Sequence, residues 1–566
     1  MRQILLALLF LLPTVAAAQA DPRLDVFHPV FARNGMVASQ EVLATKIGVE
    51  VLRQGGNAVD AAVAVGFALA VTLPQAGNLG GGGFMLVHDA RKAETVAIDY
   101  RETAPAAATA EMFLDAAGQV DKKKARFSHH AVGVPGTVAG LALALQRHGS
   151  WPLARVLAPA IRLAEDGILV DCRLAGSLRR AAKRLGRWPA SRAVFLQGDG
   201  RPLAEGARLR QPDLARSLGS IAAEGPKAFY EGAIADAIAA EMAAHGGPMT
   251  KADLAGYRAV VRAPVVGRYR GVEVRSMPPP SSGGVHLVQI LNVLENFPLA
   301  ELGAGAGETL HLMAEAMKPA YADRSLHLGD PDHWRVPVRG LTSKTYAKAL
   351  AGGIDRARAR PAAELGPGRP QGYESAETTH FSVMDGAGNV VSNTYTLNFG
   401  YGTGIVAAGT GILLNNEMDD FSAKPGVANA YGLIGGAANA VGAGKRPLSS
   451  MTPTILFRDG KPWLATGSPG GSRIITTTLQ IVLNTIDHGM NIAAATAQPR
   501  IHHQWLPDEL RIEVGVGPDT VRLLEAKGHR VVVKRAMGST QSIMATAEGF
   551  EGASDPRRPG ALTLGY

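Results

Sequence analysis

Cysteine occurs once in 566 residues, at Cys172. One thiol excludes an internal disulfide, and it excludes a zinc cage of four thiolates or of two thiolates and two imidazoles. Set between Asp171 and Arg173 with no activating partner nearby, it is not expected to be a nucleophile. Aromatic residues make up 5% of the chain. The densest basic runs, Lys122-Lys123-Lys124 with Arg126 and Arg179-Arg180 through Arg187, are not interleaved with aromatics. They read as solvated faces, and no nucleic-acid partner is expected. No apolar run is long enough for a membrane span: Ile4–Leu12 and Ala61–Leu73 fall short, and the second ends at Pro74. There is no Gly-x-Ser-x-Gly elbow, which argues against an α/β-hydrolase, and no His-Glu-x-x-His. The pairs His129-His130 and His502-His503 lack ligand spacing and are expected on the surface or in loops. No metal and no cofactor are expected. Sixty-seven glycines show no three-residue period, which excludes collagen.

What the chain does have is 46% hydrophobic and 19% charged residues, the balance of a globular protein. Lys+Arg number 58 against 49 Asp+Glu, a formal charge of +9. The length exceeds what one core usually fills, so two cores or one large layered unit are expected. At the N-terminus Arg2, the apolar Ile4–Leu12 and the small-x-small Ala18-Gln19-Ala20 read as a secretory signal covering residues 1–20, with a short anchor helix as the alternative. The mature chain would begin at Asp21 and be exported, either periplasmic or secreted.

The first half is helical in pattern. Gln40–Arg53 places apolar residues at helical spacing and stops at Gly55-Gly56. Asn57 can cap the next helix, with Asp60 in its first turn. Gly80–Gly83 does not fit a phosphate loop and is read as backbone in close approach to something. Residues 137–245 read as helices. Glu308–Leu326 reads as another, with a kink or break at Pro319. Arg356–Gly372 looks like an exposed linker. After it come two hairpin signals. Thr378–Met384 and Val390–Leu397 flank Asp385–Asn389; Thr452–Phe457 and Trp463–Thr466 flank Arg458–Lys461. Gly467–Ser472 then leads into a helical stretch, Arg473–Ile486, where free N–H groups could meet an anion or oxyanion.

Strand parity adds a clue. Thr394, Thr396 and Asn398 share a face by the period of two, a polar row where a buried face would be apolar. The acidic run Asn415–Asp420 and the segment Lys445–Met451 follow within about 100 residues, beside the anion-ready turn. Together they suggest one polar site.

These segments resemble the gamma-glutamyltranspeptidases, of the N-terminal nucleophile hydrolase superfamily. The likeness is carried by Asn78–Met85, Asp99–Pro105, Gly133–Thr137, Tyr321–Arg324, Thr378–His380, Tyr395–Asn398, Leu414–Phe421, Arg446–Met451 and Gly467–Gly471, in the family's order. It implies an α+β fold, a four-layer αββα sandwich made of two chains after self-cleavage between Glu377 and Thr378. The large, helix-rich subunit would be 21–377, and the small, strand-rich catalytic subunit 378–566, the two forming a heterodimer.

The resemblance also implies roles. Thr378 would be the nucleophile, with its new α-amine as base, since a hydroxyl needs one at neutral pH. Thr396 would orient it, and the N–H groups of Gly470 and Gly471 would form the oxyanion hole. Arg101, with Ser449 and Ser450, would hold the α-carboxylate of a γ-glutamyl group; Asn398, Glu417 and Asp420 would hold its α-ammonium. Pro425–Arg446 resembles a lid with Tyr431 as its tyrosine, expected to be ordered only over bound ligand. Glutathione and related amides would be donors; water, amino acids or peptides would be acceptors. A cephalosporin or glutaryl acylase of the same superfamily, or an uncleaved binding scaffold, are the alternatives. An acylase substrate lacks the α-ammonium, so the ammonium-binding trio favours the glutamyl reading.

Overall fold

The computed structural model describes residues 25–368 and 380–566. The signal segment, Glu377 and Thr378 therefore lie outside the described residues. Two antiparallel seven-stranded sheets stack face to face. In spatial order the first runs Leu562–Gly565, Gly35–Ser39, His380–Asp385, Val390–Thr396, Gly82–Asp89, Glu94–Tyr100, Val260–Arg262. The second runs Val30–Ala32, Phe550–Ser554, Gln541–Ala545, Lys461–Thr466, Thr454–Arg458, Val272–Ser276, Val265–Tyr269. Each sheet mixes strands from both sides of residue 378, so a cut there would leave neither half with a complete sheet.

Period-two alternation builds the four layers. Met36, Ala38, Phe84, Leu86 and Met384 of the first sheet meet Ile455, Phe457, Ala465 and Ile543 of the second in one buried cluster. The alternate residues Val37, Met85, Val87, Phe381 and Val383 face outward into a core with the helices Val42–Arg53 and Ala58–Thr72. On the far side Val272, Val274, Leu456 and Leu464 pack beneath Ser282–Leu294, Gly307–His327 and Ile474–Ile486. Helix, sheet, sheet and helix follow in turn, an αββα sandwich.

The local signals explain several of these elements. Asn57 caps Ala58–Thr72 in a full capping box with Asp60, and all fifteen residues of that helix are buried. A helix apolar on every side belongs in a core. Both hairpins form as expected among the described residues, the first running from Met384 opposite Val390 to His380 opposite Thr394. Gly80–Gly83 is a close approach: a Cβ on Gly81 would lie 1.9 Å from the Thr396 carbonyl, and one on Gly83 2.4 Å from Tyr395 Cβ.

Three expectations are corrected. The helix Gly307–His327 runs through Pro319 without a break. The segment from Arg356 is exposed at many of its described positions, 369–372 lying outside them, but it is tied down rather than free: the Ala359 N–H donates to Lys527 O (2.7 Å), that of Ala362 to Asp508 Oδ2 (2.7 Å), and that of Gly368 to Asp323 Oδ1 (2.6 Å). Its bonds come from distant residues, so local composition could not reveal them. His129, His502 and His503 are buried rather than superficial. His502 is held by Thr476 Oγ1 (2.9 Å) and Gln504 Oε1 (3.0 Å), and burial lowers its pKa.

Candidate active site

The strand pair His380–Asp385 and Val390–Thr396 lies inside the first sheet, between Gly35–Ser39 and Gly82–Asp89. His380 sits opposite Thr394. Its Nδ1 meets Thr394 Oγ1 (3.1 Å) and its Nε2 meets Ser382 Oγ (2.8 Å), while Ser382 donates to Gln541 O (2.9 Å). Burial pushes the His380 pKa down to about 3, so the ring stays neutral and serves as a polar strut between the sheets. Sequence reasoning gave His380 no role; its place beside the hydroxyl row was the available signal.

Thr396 ends its strand. Its Oγ1 accepts from the Asn398 N–H (2.8 Å) and its carbonyl accepts from Asn78 Nδ2 (2.9 Å). Asn398 lies just past the strand with a φ of 69°, a left-handed turn that asparagine tolerates. That turn aims its side chain at two partners: Nδ2 donates to Asn416 O (2.9 Å) and Oδ1 accepts from the Tyr431 hydroxyl (2.8 Å). Tyr431 is thus seated over the strand end, with its ring 6.0 Å from that of Phe399.

Gly470 and Gly471 follow the second hairpin, with φ of 142° and 58°. Both conformations favour glycine. A Cβ on Gly471 would lie 2.7 Å from the Tyr431 ring. Neither N–H donates a hydrogen bond among the described residues. The helix Ile474–Ile486 begins directly after. A cavity of about 310 Å³ is lined by Thr396, Asn398, Glu417, Tyr431, Gly470 and Gly471, among others. Five residues from distant segments thereby converge with the acidic run.

Beside this cavity Arg101 is completely buried. Its Nη1 donates to Glu417 Oε1 (2.5 Å), its Nη2 to Asp420 Oδ2 (2.7 Å) and its Nε to Pro447 O (3.3 Å). Glu102 Oε2 stands 3.8 Å from Nη1. One guanidinium therefore faces three carboxylates. Burial pushes the Glu102 pKa up to about 7, against the pull of Arg101. Asp420 is raised by burial too, and Arg101 again opposes the rise. Glu102 was not assigned a role from sequence. Asp419 accepts from Arg126 Nε (3.0 Å), and burial lifts its pKa to about 7.

Ser449 and Ser450 follow Pro447 and are fully buried. The Ser449 carbonyl accepts from Ser282 Oγ (3.0 Å), and the Ser450 carbonyl accepts from Thr452 Oγ1 (2.9 Å). Their own hydroxyls have no hydrogen-bond partner among the described residues. Buried hydroxyls of this kind are uncommon and call for an explanation. All the sequence-derived site residues except Glu377 and Thr378 are thus described: Thr396, Asn398, Glu417, Tyr431, Gly470 and Gly471 line one cavity, Arg101, Glu417 and Asp420 form one buried ion cluster, and Ser449 and Ser450 follow Pro447, which bonds to Arg101. Groups able to hold a metal lie elsewhere: His129, Glu241 and His245, and His311, Glu315 and His529. In the second group Lys318 Nζ already sits 2.6 Å from Glu315 Oε1.

Comparison with known proteins adds four findings. The profile of the Gamma-glutamyltranspeptidase family matches residues 44–564. The "Glutathione hydrolase proenzyme" of Escherichia coli (strain K12) is 59% identical over 544 residues, covering 96% of this chain and 93% of that protein. The protein of the same name from Pseudomonas sp. (strain A14) is 46% identical over 95% of each chain. Among solved structures, a cephalosporin acylase from Bacillus halodurans superposes with a TM-score of 0.85 at 30% identity, covering 97% of this chain and 98% of that one.

Proposed function

Since the chain belongs to the gamma-glutamyltranspeptidase family, we propose that it is an exported, self-processing acyltransferase and hydrolase for γ-glutamyl amides such as glutathione. In this reading one water hydrolyses the Glu377–Thr378 peptide bond. The precursor becomes a large subunit, 21–377, and a small one, 378–566. The interleaved sheets favour this, because the two pieces share both sheets and stay together. No helix among the described residues is long and apolar enough to cross a membrane, which is compatible with release after export.

Cleavage frees an α-amine on Thr378, which titrates near pH ~8 and is partly neutral in use. That amine takes the hydroxyl proton as Thr378 Oγ attacks the γ-carbonyl carbon. A C–O ester bond forms, the C–N amide bond breaks, and the proton passes to the departing amine. Water or a second amine then attacks the ester and restores the hydroxyl. Thr396 lies one inner-face position beyond the His380–Thr394 pair, at the end where the chain enters from Thr378, and is suited to orient that hydroxyl. The Gly470 and Gly471 N–H groups are suited to bind the oxyanion; such a donor contributes roughly 3–4 kcal/mol.

Substrate recognition rests on charge exchange. A γ-glutamyl head carries one carboxylate and one ammonium. Arg101 already faces Glu417 and Asp420, so the head can insert with like replacing like: its carboxylate takes the guanidinium, and its ammonium takes Glu417, Asp420 and Asn398. The observation that carries this reading is the pair of buried, unpartnered hydroxyls on Ser449 and Ser450, two and three residues beyond Pro447, whose carbonyl accepts from Arg101 Nε. They are donors awaiting a carboxylate. Tyr431 closes the cavity above. The test is a denaturing gel paired with aniline release from a γ-glutamyl anilide. Two bands split at Thr378 with release are expected; a single band without release would favour an uncleaved scaffold.

A further inference from the structure

The basic run around Arg180 faces the cavity. Arg173, Ser177, Arg180 and Arg184 recur at intervals of three and four along the helix Cys172–Leu185, one stripe of its surface. Arg173 and Arg180 line the 310 Å³ cavity together with Thr396, Gly470 and Gly471. Arg558 reaches the same cavity from the C-terminal segment. Arg180 also lines an adjoining groove of about 500 Å³ with Lys183, Arg184 and Arg187, so positive charge continues outward.

Nearby carboxylates leave most of this wall unneutralised: of Arg173, Arg180 and Arg558, Arg173 alone has one within ion-pair distance among the described residues. Glu417 is the acidic residue lining the cavity, and it is bonded to Arg101. Asp555, close to Arg558, accepts from Arg500 Nη2 (2.6 Å) and lies 3.3 Å from Arg557 Nη1. Asp171 stands 3.7 Å from Arg173 Nε, and Arg173 Nη1 donates to Gln40 O (2.8 Å). Among the described residues, the side chains of Arg180 and Arg558 pair with no carboxylate. Burial, and then the charges of Arg173 and Arg180, lower the Arg558 pKa, while Asp555 opposes them. Like charges gathered around a cavity attract an anion into it.

We propose that Arg173, Arg180 and Arg558 form a carboxylate subsite for the amine partner of the reaction, which is the leaving amine in the first half and the accepting amine in the second. This rests on the γ-glutamyl reading above and extends it. The buried Arg101 cluster takes the glutamyl head, and the arginine wall takes the free carboxylate of the amino acid or short peptide on the other side of the scissile bond. Amines bearing carboxylates are thereby preferred over neutral ones, both as leaving groups and as acceptors.

The probes are γ-glutamyl para-nitroanilide and its ring-carboxylated derivative, assayed on the processed enzyme. In Arg180→Gln, kcat/KM for the carboxylated donor should fall about three- to tenfold relative to the uncharged one, as for loss of one partly screened charged contact. Arg180→Lys should retain part of the preference. In the wild type the ratio should shrink as salt shortens the Debye length from about 30 Å to about 3 Å. Arg180 is exposed and makes no ion pair among the described residues, so the variant keeps its fold. A ratio unchanged in Arg180→Gln and indifferent to salt would overturn the subsite alone. A wild type that releases aniline from neither donor would overturn the γ-glutamyl reading and the subsite with it.

Discussion

Arg101 and Asp420, 319 positions apart in sequence, meet at 2.7 Å with both side chains buried. Both are shielded from solvent, and the guanidinium also donates to Glu417 Oε1 and to Pro447 O. Removing one partner of a buried pair leaves an uncompensated charge, which costs about 3–5 kcal/mol. Arg101→Ala should therefore both weaken γ-glutamyl binding and lower stability. Urea unfolding alongside KM measures the two effects; an unchanged midpoint would mean the pair is not buried as described.

Asp420→Asn keeps the shape and removes the charge that would meet an α-ammonium. Charged hydrogen bonds contribute roughly 1.5–3 kcal/mol, so KM for γ-glutamyl donors should rise about tenfold or more. Steady-state kinetics with a γ-glutamyl anilide decides; an unaltered KM removes Asp420 from the ammonium site.

Ser449→Ala and Ser450→Ala separate binding from folding. These hydroxyls bond to nothing among the described residues, so thermal stability should change little. The donor KM should nevertheless rise, about tenfold or more for each, the order of one hydrogen bond to a charged group. A large loss of melting temperature with normal KM would make them structural instead.

Glu102 gives a pH signature. Its pKa is raised from the ordinary 4.5 to about 7 in the folded protein. Between those values the folded state holds more protons than the unfolded one, so this group's contribution to stability is full below about 4.5 and is lost as pH rises toward 7. Glu102→Gln lacks the titration and should show a flatter stability profile across that window. Thermal unfolding at half-unit pH steps checks this; parallel profiles would contradict it.

Tyr431→Phe removes the hydroxyl that donates to Asn398 Oδ1. The segment 425–446 should then be cut sooner in limited proteolysis, and glutamate should protect the wild-type loop more than the variant. Equal cutting with and without glutamate in the wild type would show that the loop is not a ligand-gated lid.

Local chemistry made much of this legible in sequence. The Asn57–Asp60 cap, the two hairpin turns and the crowded Gly80–Gly83 backbone each follow from a few adjacent residues and appear as expected. The polar row through Thr394 and Thr396 also pointed to the site. Features made by long-range contact did not show. The direct pairing of Arg101 with Glu417 and Asp420, and of Arg126 with Asp419, joins segments about 300 residues apart. The basic run Arg179-Arg180 through Arg187 reads as a solvated face because its charges are visible in sequence but the cavity that Arg180 lines is not. Pro319 stays within its helix because residues 307 to 324 are almost all buried, and packing overrides the local cost.

The most direct measurement is mass spectrometry of the mature, active protein with its chain ends mapped. Two chains are expected, the smaller beginning with a free α-amine on Thr378, and Thr378→Ala should yield one uncut, inactive chain. Full activity from protein whose Glu377–Thr378 bond is intact would contradict the proposed nucleophile and the chemistry built on it.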